Sequence, residues 1–148
     1  MQIECAKAFV PALKEGNVNV NNKQRILNLA VQITTNEYCE NLALLDEWLA
    51  VFETVVGMVP FDYAHMVALK PIQETLDRKN PMVRRKRGNR LLTSMALAWG
   101  ETAFTEEKAI LRHIIGICGD TNYEIRLDGA NLLKTFPTEK GAEVAGTA

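Results

Sequence analysis

Residues 77–100 read DRKNPMVRRKRGNRLLTSMALAWG, and residues 120–136 read DTNYEIRLDGANLLKTF. The first stretch holds a turn, a helix start, a basic run and an apolar helical face, and the second repeats that order more weakly. Asn80-Pro81 predicts a helix start, a capping amide followed by proline at the first helical position. Asn36, Asn80 and Asn122 each precede an apolar-periodic run. Val83-Arg84 matches Ile125-Arg126, and each arginine is followed at the same distance by a leucine, Leu91 and Leu133. The helices before those turns start near Asn22, Asp62 and Thr105, and Gly57 and Gly100 close two of the helices after them. Two helices in a period of about 40–47 residues is the pattern of stacked helical repeats.

Outward from this pair, apolar residues recur at three- and four-residue spacing along most of the chain, the stripe of amphipathic helices. A first helix over 3–14 carries Ile3, Ala6, Val10 and Leu13, with Pro11 expected to kink it or end it early. The Gly- and Asn-rich stretch 16–22 is a loop. A second helix over 23–34, capped by Asn22, turns Ile26, Leu29, Ala30 and Ile33 inward. The third runs from Asn36 to about Gly57 with two adjacent apolar stripes. One is Leu42, Leu45, Leu49, Phe52, Val56 and Val59; the other is Leu44, Trp48, Val51 and Val55. A helix apolar on two flanks needs neighbours on two sides. The fourth, over 63–76, has Asp62 as its cap, buries Met66, Leu69, Ile72 and Leu76, and is expected to kink at Pro71. Thr105 with Glu106 and Glu107 opens a sixth, since acidic residues favour the positive end of a helix; Ile110, Leu111, Ile114 and Cys118 form its inner face. The expectation is an all-α chain of about seven helices forming one domain over 1–137, with a flexible tail over 138–148.

The chain resembles the HEAT-repeat (armadillo-type) superfamily over about Asn22 to Phe136. The motif that carries the resemblance best is Asp120 with Ile125-Arg126, around an intra-repeat turn. In the middle unit Val83-Arg84 fits, but Arg78 stands at the aspartate position. In the first unit Glu40 stands where arginine is expected. The resemblance implies a right-handed superhelix of antiparallel helix pairs, with the second helix of each pair lining a concave, partner-binding face. It also implies that Arg84 and Arg126 belong to a ladder with the aspartate of a neighbouring turn, a structural role.

Charge sharpens the functional reading. The net charge of the whole chain is −1. Yet Arg78, Lys79, Arg84, Arg85, Lys86, Arg87 and Arg90 crowd into one short segment, with no acidic residue from Arg78 to Gly100. The result is a local positive patch on a near-neutral molecule. With Gly88 at the core centre of its helix, Leu91, Leu92, Met95 and Trp99 face inward, while Lys86, Arg90, Thr93 and Leu97 face outward. Leu97 is either buried on a neighbouring repeat or an apolar anchor within a basic rim. The candidate partner-binding residues are Arg78, Lys79, Lys86, Arg87 and Arg90. The expected function is a non-catalytic interaction or scaffold module that binds an acidic protein surface. Binding of nucleic-acid phosphates is the alternative, although the outward stripe offers no aromatic for base stacking. Contact with the acidic surface of tubulin is a third reading.

The chemistry-bearing residues point nowhere else. His65 and His113 lack partners at metal-ligand spacing, and no nucleophile, phosphate-loop or zinc-protease motif occurs. Neither a metal nor a cofactor is expected. Cys5, Cys39 and Cys118 form no CxxC pair and are expected to be reduced core thiols. The N-terminal residues lack a basic and a long apolar region, so no signal peptide is expected. No apolar run reaches the length of a membrane span. An intracellular protein, cytoplasmic or nuclear, is the expectation. Leu127 lies far from the core face of its helix and implies a contact with the tail or with a further repeat.

Overall fold

The computed structural model describes residues 2–36, 41–99 and 115–134. Every regular element among them is helical. The elements are α1 (Gln2–Lys14), α2 (Val20–Thr34), α3 (Leu42–Val55) continued by a 3-10 turn (Val56–Met58), α4 (Phe61–Leu76), α5 (Met82–Trp99) and α6 (Tyr123–Lys134). Residues 115–118 are helical and lead into the turn at Gly119. The expected start of that helix at Thr105, its inward Ile110, Leu111 and Ile114, His113, Cys39, Glu40 and the tail over 138–148 all lie outside the described residues. So do the side chains of Ile3, Trp99 and Leu133. The chain divides into two compact units, with the boundary between Ile72 and Gln73.

The first unit is built around α3, which packs against both α1 and α2. Its two apolar stripes are the reason. Leu45, Leu49 and Phe52 on one flank, and Trp48, Val51 and Val55 on the other, are all buried. Phe9 of α1 meets Trp48 edge-on with ring centroids 5.9 Å apart, a favoured aromatic geometry. Asn41 starts α3, its side chain accepting from the Leu44 N–H at 3.2 Å. Thr34, buried near the end of α2, satisfies its hydroxyl by donating to Ala30 O at 2.7 Å.

Several local expectations shift. Asn19, not Asn22, caps α2: its Oδ1 accepts from the Asn22 N–H at 2.8 Å, so the helix begins three residues earlier than its apolar stripe. The buried face of α2 is Ile26, Leu27, Ala30, Val31 and Thr34, rotated from the expected one so that Leu29 is exposed. Pro11 does not end α1, which continues to Lys14. Asp62 lies in the first turn of α4 rather than at its cap. Met66, expected inside, is 68% exposed. The row Ala64, Ala68 and Ile72 at four-residue spacing is buried instead, since small side chains let a helix approach its neighbours closely. Leu42 is exposed at the start of α3, and Cys5 is exposed rather than core.

Candidate functional site

In the second unit two helical segments repeat around two turns. Each turn is a short connection into a helix whose first backbone bonds close on an equivalent carbonyl. Arg85 N–H donates to Pro81 O at 3.1 Å, and Arg126 N–H donates to Asn122 O at 3.1 Å. Pro81 therefore corresponds to Asn122, Arg85 to Arg126, Gly88 to Gly129, and Leu91 to Leu132. Both leucines are buried. The side chains agree: Arg85 Nη1 donates to Asn80 O at 2.7 Å and Arg126 Nη1 to Thr121 O at 3.1 Å, each reaching back the same distance along the chain. The connection before α6 is one residue shorter than that before α5, so matching Asn80 with Asn122 misplaces the helices by one residue.

That slip has a visible consequence. One residue is about 100° of helix rotation, so Val83, matched with Ile125 in the sequence, is 56% exposed. Its expected counterpart Ile125 is buried. The arginine that meets Asp120 is Arg85, not Arg84. Its Nε lies 3.2 Å from Asp120 Oδ2 and its Nη2 donates to Oδ1 at 3.2 Å. Both residues are buried, at 8% and 5% exposure. Asp120 Oδ1 also accepts from the Asn122 N–H at 2.8 Å, fixing the turn that launches α6. Asn122 then caps α6, its Oδ1 accepting from the Glu124 and Ile125 N–H groups. Asn80 does something different from the expected cap. Its Nδ2 donates to Glu74 O at 2.6 Å, on the last turn of α4, while its Oδ1 accepts from Arg84 Nη1 at 2.8 Å. Arg84 therefore braces its own turn.

Close approach explains the two glycines. A Cβ on Gly88 would lie 2.0 Å from Thr75 Oγ1, and one on Gly129 would lie 2.7 Å from Ile117 Cγ2. Thr75 and Ile117 hold matching places in the preceding helical segments, so each glycine marks the point where a turn folds one helix onto the one before it. Glycine in a helix is costly unless the space requires it. That cost is the sequence signal for these crossings.

The five candidate partner-binding residues divide by what they touch. Arg78 is exposed, and its Nη2 donates to Gly119 O at 2.9 Å, tying one turn to the next. Lys86 Nζ lies 2.7 Å from Glu124 Oε2 at the surface. The lysine's hydrogen bond holds the Glu124 carboxyl below its ordinary value, and the carboxylate raises Lys86 in return. Lys79 is exposed on the turn, Arg87 is half-buried and Arg90 is exposed, and both arginines interact with other groups of the protein. Leu97 lies on the same side of α5, 53% exposed. Opposite it, Leu91, Leu92, Met95 and Ala96 are fully buried. The exposed side of α5 thus carries Val83, Arg87, Arg90, Ser94 and Leu97 at three- and four-residue spacing: cations flanked by apolar ends. Exposed Leu127 lies on α6.

Sequence reasoning missed Arg85 and Asp120 as a pair because the nearest-looking match assigned the role to Arg84. Among the described residues no group of three His, Cys, Asp or Glu side chains could hold a metal ion, and no helix is long and apolar enough to cross a membrane. No family model, curated protein or solved structure matches the chain.

Proposed function

We propose that the second unit is a non-catalytic protein-interaction module of HEAT-like build. In this reading the exposed side of α5 receives an acidic partner segment with an apolar side chain. The observation that carries it is the stripe itself, where Arg87 and Arg90 lie between exposed Val83 and Leu97, directly opposite the buried face. Apolar anchors supply affinity and a charged rim supplies orientation and association rate. The five basic candidates form the charged rim in this reading, Lys79, Arg87 and Arg90 together with Arg78 and Lys86 beside them. Arg78 and Lys86 also hold the turn and α6 in place, because their side chains reach Gly119 and Glu124.

The test is fluorescence anisotropy with a labelled amphipathic peptide bearing alternating glutamates and leucines. Reversal of Lys79, Arg87 and Arg90 to glutamate is expected to lower affinity at least about tenfold, with the circular dichroism spectrum unchanged. Leu97→Ser alone is expected to weaken binding without altering its salt dependence. Unchanged binding in both variants would discard the α5 face as the site.

A further inference from the structure

The first unit holds a cleft of about 370 Å³ between the second half of α1, the 15–19 connection and the first turns of α2. That is within the range of about 300–1,000 Å³ usual for small-molecule sites. Its walls are Phe9, Ala12, Val18, Ile26 and Leu29. Phe9 makes an edge-on contact with the buried Trp48. Ile26 is buried at the base, and Leu29 is 40% exposed at the lip. An apolar side chain left at the lip of an apolar cleft costs hydration free energy that an occupant would recover.

The polar residues of the cleft have one sign. Arg25 lines it, is exposed, and has no hydrogen bond or ion pair among the described residues. Among the described residues no carboxylate lines the cleft. Asn22 uses its backbone N–H to close the Asn19 cap and leaves its side-chain amide at the rim. Asn17 is engaged, donating from Nδ2 to Glu15 Oε2 at 3.2 Å. One unpaired guanidinium and one amide therefore face an apolar hollow. A guanidinium presents a planar fork that matches a carboxylate through two parallel hydrogen bonds.

We propose that this cleft binds a small amphiphile with an apolar body and a carboxylate head, the alkyl chain seated among Phe9, Val18, Ile26 and Leu29 and the head paired with Arg25. The cleft shares no residue with the α5 face, and its success or failure leaves the partner-binding reading untouched. The probes are octanoate, octanol and octylammonium, titrated below their micellar range into the full chain and followed by amide and methyl chemical shifts. Octanoate is expected to shift the Phe9, Val18 and Leu29 signals saturably, at least about tenfold more tightly than octanol, with octylammonium weakest. Arg25→Gln is expected to reduce octanoate to the affinity of octanol, while Leu29→Asn weakens both. Thermal unfolding of each variant checks that the fold is retained. Equal affinity for octanoate and octanol, or an unaltered octanoate affinity in Arg25→Gln, would overturn the anionic head. Shifts that appear only with protein concentration, and that octanoate does not reverse, would give the cleft to a second copy of the chain and overturn the proposal.

Discussion

Asp120 meets the Arg85 guanidinium and the backbone of its own turn with one carboxylate, and both charges are buried. Removing one member strands the other in a site that water reaches poorly. Asp120→Ala is accordingly expected to lower stability by about 3 kcal/mol in urea unfolding, and Arg85→Met by a similar amount. The double variant is expected to lose less than the two single losses combined. Arg84→Met, which removes the brace on Asn80, is expected to cost about 1 kcal/mol. Equal losses for Arg84 and Arg85 would contradict the register that puts Arg85 on Asp120. The surface pair behaves differently. Glu124 is depressed below its ordinary 4.5 by the Lys86 hydrogen bond, so its contribution is present above that value and fades as pH falls through the depressed one. Lys86 is raised above 10.5, so its contribution is present below that value and fades as pH rises through the raised one. The pair acts across the neutral range between those limits. In Lys86→Met the Glu124 carboxyl, followed by carbon-detected NMR, is expected to titrate higher; no upward movement would mean the pair does not form in solution.

At the scale of elements, helix identities were legible because apolar spacing and turn residues agree along the chain. The two stripes of α3 predicted neighbours on two sides, and α3 packs against both α1 and α2. Boundaries and phases were less legible. Asn19 and Asn22 are the same residue type three positions apart, and only the hydrogen bond to the Asn22 N–H tells cap from first turn. Asn19→Ala is expected to cost about 1 kcal/mol while Asn22→Ala costs little, a difference that thermal unfolding reads directly. The candidate site was legible as a basic run but not in its division of labour. Arg78 and Lys86 look like surplus charge in sequence, and their contacts to Gly119 and Glu124 come from a turn some forty residues away. The slip between Arg84 and Arg85 has the same origin. A turn shorter by one residue leaves no local mark, yet it rotates the matched helix by about 100°. The glycines did carry the true register. Gly88→Ala is expected to destabilise by about 1–3 kcal/mol because its methyl meets the β-branched Thr75 in a packed crossing. Thr75→Ser is expected not to relieve it, since Oγ1 is the nearest atom.

At the scale of the whole molecule, a net charge of −1 gives the chain little long-range attraction for a polyanion. Binding to phosphates would have to come from the local patch, which makes salt dependence the decisive observable. With the five candidates Arg78, Lys79, Lys86, Arg87 and Arg90 as the cations presented to a ligand, counterion release sets a ceiling. The logarithm of the duplex-DNA association constant is expected to fall with a slope of at most about −4.5 against the logarithm of salt concentration. Six to ten phosphate contacts would give a slope of roughly −5 to −9. An acidic, leucine-bearing peptide is expected to show a shallow slope together with a residual affinity at high salt. Screening removes the charge contribution, whereas burial of Val83 and Leu97 survives it. The comparison is made on one protein preparation, with the two ligands titrated over the same salt series. A DNA slope steeper than about −5 would extend the charged surface well beyond α5 and favour phosphate recognition over an acidic protein partner.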